Sequence, residues 1–265
     1  MNAKNTSSKY RISVLLDLSK SSELVLTNAV QLAKALNGSV EVFHVKPATD
    51  IVKRESQLSA IRTIYKDDRD TRSKMQDLIR TIEEEEGIKL SYKLEYGNVK
   101  NRVRDYLALQ KPDILVLGKR RPNFLGESIT DFVINETNIN VLITGKDDKF
   151  HTFKDINLGV FGSGLRENGL EIIKDLKRDS EKPVRIFNIK GKIALGEQDS
   201  NPWPKTVSYV FTEGANAMDG LVSYVSRTNT QLLCVSKNEG KTLAFQTNPA
   251  KEVMRKATVP IFIMA

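Results

Sequence analysis

The chain has 265 residues, of which 40% are hydrophobic and 28% charged, enough for ordinary buried cores and too apolar for a disordered chain. At roughly 100–200 residues per domain, two domains are expected. No apolar run approaches the ~18 residues of a membrane span, the polar N-terminus lacks the apolar stretch of a secretory signal, and the single cysteine, Cys234, excludes a disulfide framework or a cysteine-based zinc site; a soluble cytoplasmic protein is expected. The net charge of +8 is shared equally by residues 1–145 and 146–265. Its densest cluster, Lys119-Arg120-Arg121, sits in one loop rather than in a tail, stripe or recognition helix, so nucleic acid is not an expected partner.

Apolar runs alternate with segments of helical period, the pattern of a parallel α/β sheet. A first strand covers Arg11 to Asp17, followed by a helix from Ser22 to Leu36. Leu26, Ala29, Val30, Ala33 and Leu36 form its apolar face, Ser19, Ser21 or Ser22 is its cap, and Gly38 its end. A second strand spans Val40 to Val45. Residues 50–86 read as helix, with Leu58, Ile61 and Ile64, then Met75, Leu78, Ile79 and Ile82, on one face. Asp67, Asp68 and Asp70 predict a bend there, and Gly87 the end. The acidic run Glu83 to Glu86 opposes the helix macrodipole and is expected to be solvated. A third strand (Leu90 to Glu95), a helix (Val99 to Leu109), a fourth strand (Ile114 to Leu117), a helix (Ser128 to Glu136) and a fifth strand (Asn140 to Thr144) complete the first half.

The second half repeats this order: strand Ile156 to Phe161, helix Gly169 to Leu176, strand Val184 to Ile189, strand Thr206 to Phe211, helix Ala217 to Val225, and strands Leu232 to Val235 and Val259 to Met264. VEVFHVK and VRIFNIK align without a gap, and Gly97 and Gly214 end corresponding strands. The chain therefore reads as a tandem duplication, with domains at residues 1–145 and 146–265. The excursion between the second and third strands is long in the first copy (Lys46 to Ile88) and short and broken in the second (Lys190 to Lys205), so the second copy is expected to lack one covering helix.

VLLD-x-S at 14–19, FHV at 43–45, Tyr96-Gly97 and PDILVLG at 112–118 resemble the universal stress protein family in its tandem form, over nearly the whole chain. The resemblance implies two Rossmann-like α/β domains, each an open five-stranded, mostly parallel sheet of order 3-2-1-4-5 with helices on both faces. Ligands in such sheets sit where strand order reverses, between strands one and four. Many family members bind ATP there, which makes ATP with magnesium the candidate ligand of the first domain. The family pattern is an acid closing strand one, Gly-x-x-Gly after strand four, and Gly-Ser or Gly-Thr opening the next helix.

Carried over, Asp17 matches the acid, beside Ser19, and Val45 the base-framing position; Gly118 matches the first glycine. The second glycine falls on Arg121, and the loop is short: either Glu127-Ser128 stands for Gly-Ser, or Gly126 opens the helix with Glu127 at the hydroxyl position. A carboxylate there repels phosphates, whereas Lys119, Arg120 and Arg121 attract them. In the second domain Phe161, Ser236 and Thr247-Asn248 replace the pattern.

The reading is thus a non-catalytic stress-response binding or signalling module with an eroded nucleotide cleft; the alternative is an adenine-nucleotide-binding protein with slow ATPase activity in the first domain. Family members pair through their fifth strands, so an internal pseudo-dimer of Asn140–Thr144 against Val259–Met264 is expected, with a homodimer also open. His44 and His151 lack metal-ligand spacing and read as structural, Gly240-Lys241-Thr242 lacks the earlier glycine of a P-loop, and Cys234 reads as a core thiol.

Overall fold

A computed structural model describes residues 8–47, 57–119, 128–144, 152–162, 165, 167–190, 203, 205–237 and 249–265. The chain forms two compact units, residues 1–118 and 119–265.

The first unit alternates strand and helix: β1 (Tyr10–Leu16), α1 (Ser22–Leu36), β2 (Gly38–Lys46), α2 (Gln57–Glu86), β3 (Ser91–Tyr96), α3 (Val99–Gln110) and β4 (Ile114–Gly118). Its strands are all parallel, in the order β3-β2-β1-β4. The face of β1 that carries Ile12, Val14 and Leu16 is apolar and buried, and Leu26, Ala29, Val30, Ala33 and Leu36 of α1 are buried as their helical spacing predicts, whereas Ser13 on the other face bonds the Tyr106 hydroxyl of α3 (2.8 Å).

Four local expectations need correction. No serine hydroxyl caps α1: Ser21 occupies the N-cap, but its side chain makes no capping bond. The Asp17 carboxylate, placed just before the helix, accepts from Ser19 N–H and the Ser22 hydroxyl instead. Gly38 does not end the helix. Asn37 takes the left-handed conformation there (φ 54°), its N–H returning to Ala33 O, while Gly38 opens β2. A Cβ at Gly38 would lie 3.0 Å from Ile12 Cδ1 and 3.1 Å from Tyr10 O, so the glycine serves close strand approach.

The aspartates do not bend α2, which runs unbroken for 30 residues. Arg72 bonds Asp68 one turn away, and Lys46 Nζ on β2 donates to Asp67 O and to Thr71 Oγ1. Partners at i+4 turn an acidic run into a helix-compatible one. Met75, Ile79 and Ile82 are buried along one stripe, and Gly87 (φ 64°) ends the helix with its N–H on Glu83 O; the side chains of Leu58, Ile61 and Ile64 lie outside the described residues. The terminal glutamates are not merely solvated. Glu86 accepts from Gln31 Nε2 (2.5 Å) and Lys34 Nζ (2.6 Å) of α1, and Glu83 from Leu90 N–H (2.8 Å). That backbone bond, with Lys89 nearby, holds the Glu83 carboxyl below the usual range. Local donors outweigh the unfavourable helix end.

The second unit contains α4 (Ile129–Glu136), β5 (Asn140–Thr144), β6 (Leu158–Phe161), α5 (Glu167–Leu176), β7 (Val184–Lys190), β8 (Thr206–Thr212), α6 (Ala217–Arg227), β9 (Leu232–Ser236), α7 (Pro249–Lys256) and β10 (Ile261–Met264). The strand order is β5-β10-β9-β6-β7-β8. The five strands of the second sequence copy follow the expected 3-2-1-4-5 order and are parallel; β5, the last strand of the first copy, pairs antiparallel with β10 through Val141↔Ile263, Leu142↔Phe262 and Ile143↔Ile261. All six of these side chains are buried.

Helix α7 has no counterpart in the sequence reading. It opens on proline, whose fixed φ suits a first helical position, and it buries Val253. Residues 191–202, where a covering helix is expected to be missing, lie outside the described residues. Among the described residues no helix is long and apolar enough to cross a membrane.

Candidate functional site

Strand β1 ends in Leu16, and the chain then turns through Leu18, a non-glycine residue in the left-handed region (φ 56°). That turn presents Asp17, Ser19 and Ser22 together. Asp17 Oδ1 lies 3.0 Å from Ser19 N and 3.1 Å from Ser22 Oγ, while Ser19 Oγ and Ser21 Oγ are 3.0 Å apart. Asp17 therefore works as a helix anchor at the carboxyl end of β1. On the neighbouring strand His44 is buried, and its Nδ1 lies 2.8 Å from Leu16 O. A carbonyl only accepts, so Nδ1 carries the proton and the ring serves as a strand cross-brace. Val45, the next residue, is buried in β2.

Gly118 closes β4. A Cβ there would stand 2.9 Å from Val25 Cγ2 of α1. The close approach of α1 to β4 thus gives a packing reason for glycine at this position.

In the second unit, Lys119 N–H donates to Thr144 O (2.9 Å), and its ammonium donates to Ala257 O (2.6 Å), the carbonyl just past α7. Ser128 is the N-cap of α4. Its Oγ accepts from Asp131 N–H (3.0 Å) and donates to Asp131 Oδ2 (2.6 Å). A carboxylate in the first turn suits the helix dipole. Arg120, Arg121, Gly126 and Glu127 lie outside the described residues, as do His151, Gly240-Lys241-Thr242 and Thr247-Asn248.

The structure thus joins Asp17 to Ser19 and gives Gly118, Lys119 and Ser128 separate partners. The Ser128 hydroxyl pairs with a carboxylate and the Lys119 ammonium with a helix end. In the second copy Phe161 and Ser236, at the positions of the acid and first glycine, are both buried.

Sequence reading missed Lys237. It follows β9 as Lys119 follows β4, and it repeats the same pair of bonds. Its N–H donates to Met264 O (2.8 Å), at the end of β10, and its ammonium to Thr137 O, just past α4. Each lysine places its charge at the negative end of a helix belonging to the other sequence copy. Aligning ILVLGK with LLCVSK gives the signal that finds the pair.

Cys234 is fully buried in β9, and desolvation pushes its thiol far above the usual range. We expect no labelling by a thiolate-selective reagent in the native state and full labelling once the protein is unfolded in urea; native labelling at the unfolded rate would contradict this burial.

Four parallel strands in 3-2-1-4 order, and five in 3-2-1-4-5 order, define Rossmann-like α/β architecture with a reversal point between the first and fourth strands. A model of the universal stress protein family matches residues 10–145, half of the chain, and the chain belongs to that family. Among solved structures, a universal stress protein from Archaeoglobus fulgidus DSM 4304 is 15% identical, with a TM-score of 0.68 over 96% of both chains. A putative universal stress protein from Pseudomonas aeruginosa UCBPP-PA14 is 10% identical, with a TM-score of 0.60 over 96% of this chain and 92% of its own. A universal stress protein in complex with cAMP is 18% identical over 53% of this chain and 100% of its own, with a TM-score of 0.37. A comparison with curated proteins returns no match.

Proposed function

We propose that the chain is a cytoplasmic, non-catalytic binding or signalling module of the stress response, in which the nucleotide cleft of the first copy is eroded. The observation that carries this reading is the Ser128–Asp131 contact of 2.6 Å, which sets a carboxylate at the helix end meant for phosphate. Asp17 and Gly118 support it, since each has a structural reason to be what it is. We further propose domains at residues 1–145 and 146–265, following the sequence repeat, and an internal pseudo-dimer. The antiparallel pairing of β5 with β10 and the reciprocal bonds of Lys119 and Lys237 support that arrangement.

The test is a thermal shift with ATP or ADP, with and without magnesium. No change in Tm is expected. Asp17→Ala is expected to lower stability by about 1 kcal/mol, the usual net worth of a lost hydrogen bond, without altering any nucleotide response. A nucleotide-induced rise in Tm that Asp17→Ala abolishes would overturn the proposal in favour of an adenine-nucleotide-binding protein.

A further inference from the structure

Strand β8 ends the sheet of the second unit: among the described residues β7 is its one strand neighbour. A bare strand edge offers backbone donors and acceptors to another chain, and natural edges are usually blunted by charge. The corresponding edge of the first unit follows that rule, for β3 carries Lys93 and Glu95, paired at 2.8 Å. The β8 sequence, TVSYVFT, carries no charge, and three of its seven residues are valine or phenylalanine.

Apolar exposure concentrates at the same place. The exposed large hydrophobic side chains among the described residues are Leu109, Val207, Val210 and Tyr224. Val207 and Val210 lie on β8, and Tyr224 of α6 packs on its face, with ring centroids 4.9 Å from Tyr209 and 6.0 Å from Phe211. Val207 shares that face and Val210 lies on the opposite one, so apolar side chains are exposed on both faces of the strand beside its open edge.

The residues flanking the strand specify an occupant. Exposed Lys205 precedes β8 and exposed Glu213 follows it. When two copies of Lys205–Glu213 run antiparallel about a two-fold axis at Tyr209, Lys205 faces Glu213 at both ends. Val207 then faces Phe211, Ser208 faces Val210, Thr206 faces Thr212, and Tyr209 faces its own mate. A slip of two residues in either direction removes both Lys–Glu pairs, and a slip of one mismatches the faces. Lys205 already pairs with Glu181 of its own chain, but both side chains are exposed, and a surface pair of that kind yields readily.

We propose that β8 is the docking edge for a second copy of this chain, paired antiparallel and centred on Tyr209. A strand of seven residues spans about 20 Å, so the contact is small and the dimer weak and concentration-dependent. This surface is separate from the β5–β10 pairing and stands or falls without it.

Sedimentation velocity over a concentration series tests the proposal. The wild-type chain is expected to dimerise as concentration rises. Lys205→Glu and Glu213→Lys, which place like charges opposite one another, each weaken the dimer several-fold, and the double variant K205E/E213K recovers it. Val210→Lys on the exposed edge abolishes it, with an unchanged circular dichroism spectrum. A chain that stays monomeric throughout, or a dimer indifferent to Val210→Lys, overturns the proposal. A dimer lost in Val210→Lys but blind to the charge swaps overturns its register.

Discussion

Phe262→Ala is expected to lower the stability of the protein by about 3–5 kcal/mol, the range for removing a large side chain from a packed core. Phe262 is fully buried in β10, opposite Leu142 of β5 on one side and Cys234 of β9 on the other, and both neighbours are fully buried as well. Around Phe262 the neighbouring strand positions, Val141, Leu142, Ile143, Leu233, Cys234 and Val235, are apolar and buried. Equilibrium urea unfolding measures the loss as a lower midpoint at unchanged m-value. A loss below about 1 kcal/mol, typical of peripheral substitutions, would mean that β5 and β10 do not form this core.

Ile82→Ala is expected to cost about 2–5 kcal/mol. Ile82 is fully buried on the stripe of α2 that also holds Met75 and Ile79, and one turn later Glu86 grips Gln31 and Lys34 of α1. The apolar stripe and the polar clamp fix the same rotational setting of α2 against α1. Arg80→Ala is the control, since that side chain is 69% exposed and holds only an i,i+3 contact with Asp77. Its effect should stay within about 0.5 kcal/mol in the same urea titration. Equal losses for the two variants would contradict the orientation of the helix.

Strands were the most legible part of the sequence. Their apolar runs are short and bounded by turns, and β5 falls on its expected residues while the others shift by a residue or two. The tandem order was legible for the same reason. Helix ends were harder, because a residue's type does not reveal which of its properties is in use. Gly38 suggested a left-handed helix end, but its missing side chain serves packing against Ile12. Asp67 and Asp68 suggested a break, but Lys46 and Arg72 supply partners that local propensity ignores. Helix α7 escaped notice because, among its described side chains, Val253 alone is buried amid charged residues.

The candidate site was less legible than the fold. Asp17, Gly118, Lys119 and Ser128 have the residue types of a phosphate site, and type alone does not distinguish a ligand contact from a structural one. Lys119 illustrates the difficulty: its acceptor is a backbone carbonyl 138 residues away, which no side-chain pattern announces. Ser128 was closer to legible, since Asp131 stands three residues on, at the spacing of a capping interaction.

The pairing of β5 with β10 has a consequence for dosage. Strands on separate chains find each other by mass action, so their contact is lost on dilution and depends on how much protein the cell makes. Here the two strands are parts of one covalent chain, and their encounter is intramolecular, at an effective concentration fixed by the connecting segment rather than by expression level. The contact therefore survives at abundances where a two-chain version would dissociate. It also ties the two strands at a fixed ratio of one to one, which leaves each free to diverge in sequence without losing its partner strand.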